Sequence, residues 1–166
     1  MNIHPLFVHF PIAILVLYSF FEFARFQFIT KQPYYITFKS VLVIIGTLTA
    51  YLTIMTGEIA EHIVVLQDPS KQALIETHGM FAAITTTLYS FVAAYYLLNW
   101  ATKAPFFAQQ FRRFAINKIL NIASVFILPA AILGLLAITI TGGLGASIVY
   151  GPDVDPIVSF IYGLFY

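Results

Sequence analysis

The chain has 166 residues, 60% of them hydrophobic and 9% charged, with a mean hydropathy of +0.90. Soluble domains are roughly a quarter charged, so this chain cannot cover itself with a water-compatible surface. A net charge of +1 argues against nucleic-acid binding, which needs clustered Lys and Arg, and the absence of Cys excludes disulfides, thiolate metal sites, iron–sulfur clusters and covalent haem attachment.

A bilayer core is crossed by about 17–25 mostly apolar helical residues. Four stretches qualify, at about 5–28, 38–58, 77–100 and 118–141. They must be helices, because lipid offers no partner to an unpaired backbone group. The expected fold is all-α: one integral membrane four-helix bundle over residues 1–166.

In the first stretch, Pro5 suits the first helical position. Pro11 either bends the helix near His9 or is itself the helix start, with residues 1–10 as an irregular cap. With no basic leader and no small-residue cleavage site, this span is expected to be retained rather than removed as a signal peptide. Gly46, Ala50, Thr53 and Gly57 line one face of the second span, and Ala82, Thr85, Thr86 and Ala93 lie along the third. Such residues permit close helix packing, the preferred reading unless the histidines bind something, or leave room for a planar cofactor. Gly142 and Gly143 are expected to stop the fourth span. The glycine-rich run 141–151 lacks the Lys of a phosphate-binding loop. The tail, 150–166, is too short to span and is expected at the membrane interface or against a partner.

Arg25, Lys31 and Lys39 fall between the first two spans, and Lys103, Arg112, Arg113 and Lys118 between the last two. The other side holds Lys71 with Glu58, Glu61, Asp68, Glu76, Asp153 and Asp155. Positive loops stay cytoplasmic, so both termini are expected outside, in the periplasm of a bacterium whose inner membrane the chain crosses. Tyr34, Tyr35, Trp100, Phe106 and Phe107 fit interfacial aromatics on the inner side. Spans two to four show no midplane charge, which disfavours transport. No nucleophile–base–acid set is visible, so an electron carrier or complex subunit is expected rather than an enzyme.

All four histidines map to the outer side: His4 and His9 open span one, His62 ends span two and His78 begins span three. An up-down bundle brings those ends to one level, together with Glu58, Glu61 and Glu76. Three readings follow. The imidazoles serve as axial ligands of one or two b-type haems, with the carboxylates orienting their other ring nitrogens. Alternatively, His and Glu bind Cu, Fe or Zn. In the third, they are interfacial polar residues meeting water and headgroups. His9 resists the last best, because an ionisable residue inside a span is costly and usually functional. Loss of haem in His9→Ala and His78→Ala is the corresponding expectation.

The opening HPLFVHFPIAIL resembles the HPxxVHFPIAL signature of a bacterial membrane-protein family designated domain of unknown function 2231. His78-Gly79, Gly142-Gly143 and Val149-Tyr150-Gly151 agree with it more weakly. The resemblance implies the four-span fold and points to His4, His9 and His78 as family-type positions. The histidine arrangement looks like that of membrane b-type cytochromes. The expected function is an electron-transfer subunit working between quinol and a periplasmic acceptor, or inside a respiratory or photosynthetic complex. The alternative of a different class is a cofactor-free accessory subunit packed against other membrane subunits.

Overall fold

A computed structural model describes residues 3–24, 26–104 and 116–166. Among them the helices are α1 (His4–Phe23), α2 (Gln27–Thr30), α3 (Tyr35–Gln67), α4 (Gln72–Ala101), α5 (Ile116–Tyr150) and α6 (Pro156–Tyr162). A short 3-10 turn, Pro69–Lys71, joins α3 to α4, and the Asp68 carboxylate caps it through the Ser70 amide. Four helical segments are long and apolar enough to cross a membrane, and the chain is a multi-pass membrane protein.

α1 packs on α3, α3 on α4, α4 on α5, and α5 back on α1. Neighbours run antiparallel, which leaves α1 and α4 parallel and diagonal across the bundle. The starts of α1 and α4 and the ends of α3 and α5 therefore share one end, the histidine end. Leu15, Tyr18, Val43, Tyr89, Val92 and Ala131 form the centre of the core. Small residues set the helix spacing: a Cβ on Gly46 would lie 2.5 Å from Leu15, and one on Gly134 would lie 2.9 Å from the Tyr89 ring. The stripe on the second span thus serves packing at Gly46 and Ala50.

α1 starts at His4 and runs through Pro11 without interruption, so residues 4–10 are helix rather than an irregular cap. Pro11 has no N–H for the Phe7 carbonyl, and the Thr53 hydroxyl of α3 supplies a donor at 3.2 Å, shared with its own Thr49 carbonyl. α1 ends at Phe23 instead of continuing toward Phe28.

Two further boundaries differ from expectation. α3 continues past position 58 to Gln67. α5 passes straight through Gly142 and Gly143, because Gly143 is a packing contact: its Cβ would meet Ile161 of α6 at 2.5 Å. The stop is Gly151, at φ +93°, whose amide returns to the Ser147 carbonyl, with Pro152 next. Lys71 adds a cation there, donating to the Ile148 carbonyl at 2.9 Å.

The C-terminal segment finds its partner within the chain. Ile161 joins Leu74 and Leu144 in a second apolar cluster, Phe165 packs edge-on against Phe81, and Tyr166 pairs with Thr77.

Candidate functional site

The structure brings two of the four histidines together. His4 of α1 and His78 of α4 meet across the bundle diagonal with ring centres 6.5 Å apart and planes at 88°. Each ring lies against a glycine of a third or fourth helix: a Cβ on Gly57 would stand 3.1 Å from His4 Cε1, and one on Gly145 would stand 3.1 Å from His78 Cε1. A side chain at either position would displace an imidazole.

A hydrogen bond fixes which nitrogen of His78 is basic. His78 Nδ1 donates to the Thr141 carbonyl at 3.0 Å; a carbonyl only accepts, so the proton is on Nδ1 and Nε2 holds the lone pair. His4 Nδ1 lies 3.1 Å from Thr56 Oγ1. The same Thr56 hydroxyl donates to the Thr53 carbonyl at 2.9 Å, so His4 sits against a polar turn of α3. Anchoring through Nδ1 with a basic Nε2, as in His78, is the arrangement found in metal-ligating histidines.

The other expected residues lie elsewhere, for reasons of helix geometry. His9 is five residues after His4, a rotation of about 140° around the helix. It is exposed on α1 and donates from Nδ1 to the Pro5 carbonyl of its own helix at 2.6 Å. His62 is six residues beyond Thr56 on α3, about 9 Å above the His4 level, and is exposed. Glu58, Glu61 and Glu76 are exposed, and Glu76 accepts from Gln72. The Nδ1 atoms of the pair are held by Thr56 and Thr141 rather than by carboxylates. Among the described residues no three His or carboxylate side chains come close enough to hold a metal ion.

Beside Thr141, an apolar groove of about 550 Å³ opens between α1, α5 and α6. Ile12, Val16, Ile138, Gly142, Gly143 and Ile157 line it, and its size falls in the range of small-molecule sites.

A second polar centre was not anticipated. Lys39 is a buried residue of α3, not a loop cation, and its Nζ lies 2.6 Å from Glu22 of α1. Tyr18 and Tyr96 donate to the same Glu22 oxygen at 3.0 and 3.2 Å. Glu22 and Lys39 are only 7% and 5% exposed, and the Lys39 ammonium also faces the Tyr35 and Tyr96 rings. Burying such a pair is costly unless the geometry is good and the other lone pairs are satisfied. The available signal was Glu22 itself, a carboxylate in an apolar span, with a lysine seventeen residues later across a turn. Arg25, Arg112, Arg113, Phe106 and Phe107 lie outside the described residues.

The chain matches the family of predicted membrane proteins designated DUF2231 over residues 1–155 and belongs to it. No curated protein and no solved structure matches it.

Proposed function

Starting from membership of that membrane family, we propose that the chain is an electron-transfer subunit binding one b-type haem, with His4 and His78 as axial ligands. One observation carries this reading: two imidazoles converge from diagonal helices, each with its Nδ1 in a hydrogen bond. Zinc, copper and non-haem iron sites draw three or four ligands from the protein. A haem takes most of its iron ligands from its own porphyrin and would need no more than the two imidazoles brought together here. The two ring centres stand 6.5 Å apart, close enough that His4 and His78 would be the residues to hold such a group. His9 and His62 each lack a second imidazole at their level, so the proposal is for a single haem.

The haem supplies the one-electron chemistry. The protein holds the axial rings, and Gly57 and Gly145 let them sit close to α3 and α5. With the basic loops cytoplasmic, His4 and His78 would hold the haem toward the periplasmic face of a bacterial inner membrane. The apolar groove would suit an apolar donor of the quinol class, and the haem, if bound, would serve transfer to a periplasmic acceptor or to another subunit of a membrane complex.

The test is an optical spectrum of detergent-purified protein, oxidised and then dithionite-reduced, with haem quantified per chain. The expected result is a b-type spectrum at one haem per chain, lost in His4→Ala and His78→Ala and kept in His9→Ala and His62→Ala. Folded protein with no haem band would contradict the proposal and leave the accessory-subunit reading in front.

A further inference from the structure

The outward face of α3 carries a repeat that its own bundle does not use. Phe38, Ile45, Leu52, Ile59 and Leu66 stand at seven-residue intervals, the a positions of a heptad, and all are exposed. Val41, Leu48, Met55 and His62 stand between them at d, and these are exposed as well. The buried residues of the same stretch, Lys39, Val43, Gly46, Thr47, Ala50 and Ala60, fall only at b, c and f. One face of α3 thus packs inside the bundle. The opposite face has the pattern of a coiled-coil seam, about 42 Å long at 1.5 Å per residue.

Within the bilayer an exposed apolar face is ordinary, because lipid covers it. This one continues further. His4 meets Thr56 and Glu22 meets Lys39, and α1, which holds both His4 and Glu22, has 20 residues. That is about 30 Å, the thickness of a hydrocarbon core. The part of α3 after Thr56 therefore stands outside the hydrocarbon, where Glu58 and Glu61 are exposed. Ile59 (65% exposed), His62 and Leu66 (85% exposed) carry the seam on in phase over that part, and Leu66 lies about 15 Å beyond Thr56. The exposed line of α4 behaves otherwise: it passes through Thr87 and Ala83 and leaves the hydrocarbon at Glu76 and Gln72. An apolar heptad held in phase from lipid into water calls for a helix alongside it over its whole length.

We propose that this seam is the interface of a homodimer, occupied by α3 of a second copy of the chain. Every copy inserts with the same orientation, so a twofold axis along the membrane normal sets the two α3 helices parallel, a facing a and d facing d. The helix that fills the seam must be as long as α3, pass equally far beyond the outer face and carry a matching heptad. A second copy meets all three conditions. The a and d positions hold no Asp, Glu, Lys or Arg, and His62 is the single polar residue among them, which fixes register. Glu58, at the flanking g position, meets Ile63 at e across a parallel pair, and Glu61, at c, points away, so no carboxylates oppose each other. The exposed surface of the seam is on the order of 900 Å² per copy, against about 800 Å² per partner in an interface of standard size. Thr53 and Gly57, which pack on α1, lie at b and f, so the dimer leaves the His4–His78 pair as it is and does not depend on haem.

The chain has no cysteine, so single cysteines report the seam directly. Ile59→Cys, His62→Cys and Leu66→Cys are compared with Glu61→Cys and Gln67→Cys, which lie on the same exposed stretch at c and b. After oxidation with copper phenanthroline in the membrane, the first three are expected to form disulfide-linked dimers and the last two to remain single chains. Adding Ile59→Asp and Leu66→Asp to His62→Cys is expected to abolish its cross-link, and because both side chains are exposed the fold is kept. Cross-linking at none of these positions, or equally at all of them as random collision would give, overturns the proposal. So does a cross-link that survives the two aspartates, or one to a protein of another size, which would place a different subunit on the seam.

Discussion

At the residue scale, Lys39 and Glu22 give the most direct energetic test. Removing one partner of a buried ion pair strands the other charge, at a cost of about 3–5 kcal/mol. Lys39→Met should therefore lower thermal stability in detergent sharply, because among the described residues Glu22 is left with only the Tyr18 and Tyr96 hydroxyls. The double variant Glu22→Leu/Lys39→Met removes both charges and should recover most of the loss; a double variant as unstable as the single one would contradict this. The histidines illustrate how far residue identity alone reaches. That imidazoles gather at one end was legible from their positions at span termini. Which two meet was not: it depends on rotation about α1, which turns His9 away from His4, and on how far α3 extends beyond the level of Thr56.

At the element scale, prolines and glycines decide the packing. Pro11 remains inside α1 because Thr53 of the neighbouring helix donates to the carbonyl that proline leaves without a partner. Thr53→Val should cost about 1–3 kcal/mol, the penalty of an unsatisfied buried group, measured as a lower midpoint of thermal unfolding. An unchanged midpoint would show that the Phe7 carbonyl is satisfied otherwise. Gly134 is set against the Tyr89 ring, so Gly134→Ala must move a fully buried tyrosine that bonds Ser19. A destabilisation of about 1–3 kcal/mol is expected, as for other overpacked cores. The spans themselves were plain in the sequence because lipid permits only helices there. Their ends were less so: glycine inside an apolar helix reads as a stop, yet at Gly143 it is the seat for Ile161, and the true stop at Gly151 lies eight residues on. Lys39 reads as a loop residue because a lone cation near a span end ordinarily meets water; Glu22, a carboxylate inside the preceding apolar span, is the one sign that it has a buried partner.

At the scale of the whole molecule, the bundle has two chemically distinct ends. One presents paired imidazoles beneath an acidic, exposed rim of Glu58, Glu61 and Glu76; the other closes over a buried ion pair caged by tyrosines. The C-terminal helix packs on α5 and covers part of the histidine end, so residues beyond the family match contribute to the same fold. The measurement that bears most directly on the central claim is the low-temperature electron paramagnetic resonance spectrum of the oxidised, haem-loaded protein. Two axial imidazoles with planes near perpendicular, as His4 and His78 are at 88°, predict a single low-spin ferric signal of high anisotropy, absent from His4→Ala and His78→Ala. A high-spin signal, or a low-spin signal that persists in both variants, would contradict ligation by this pair.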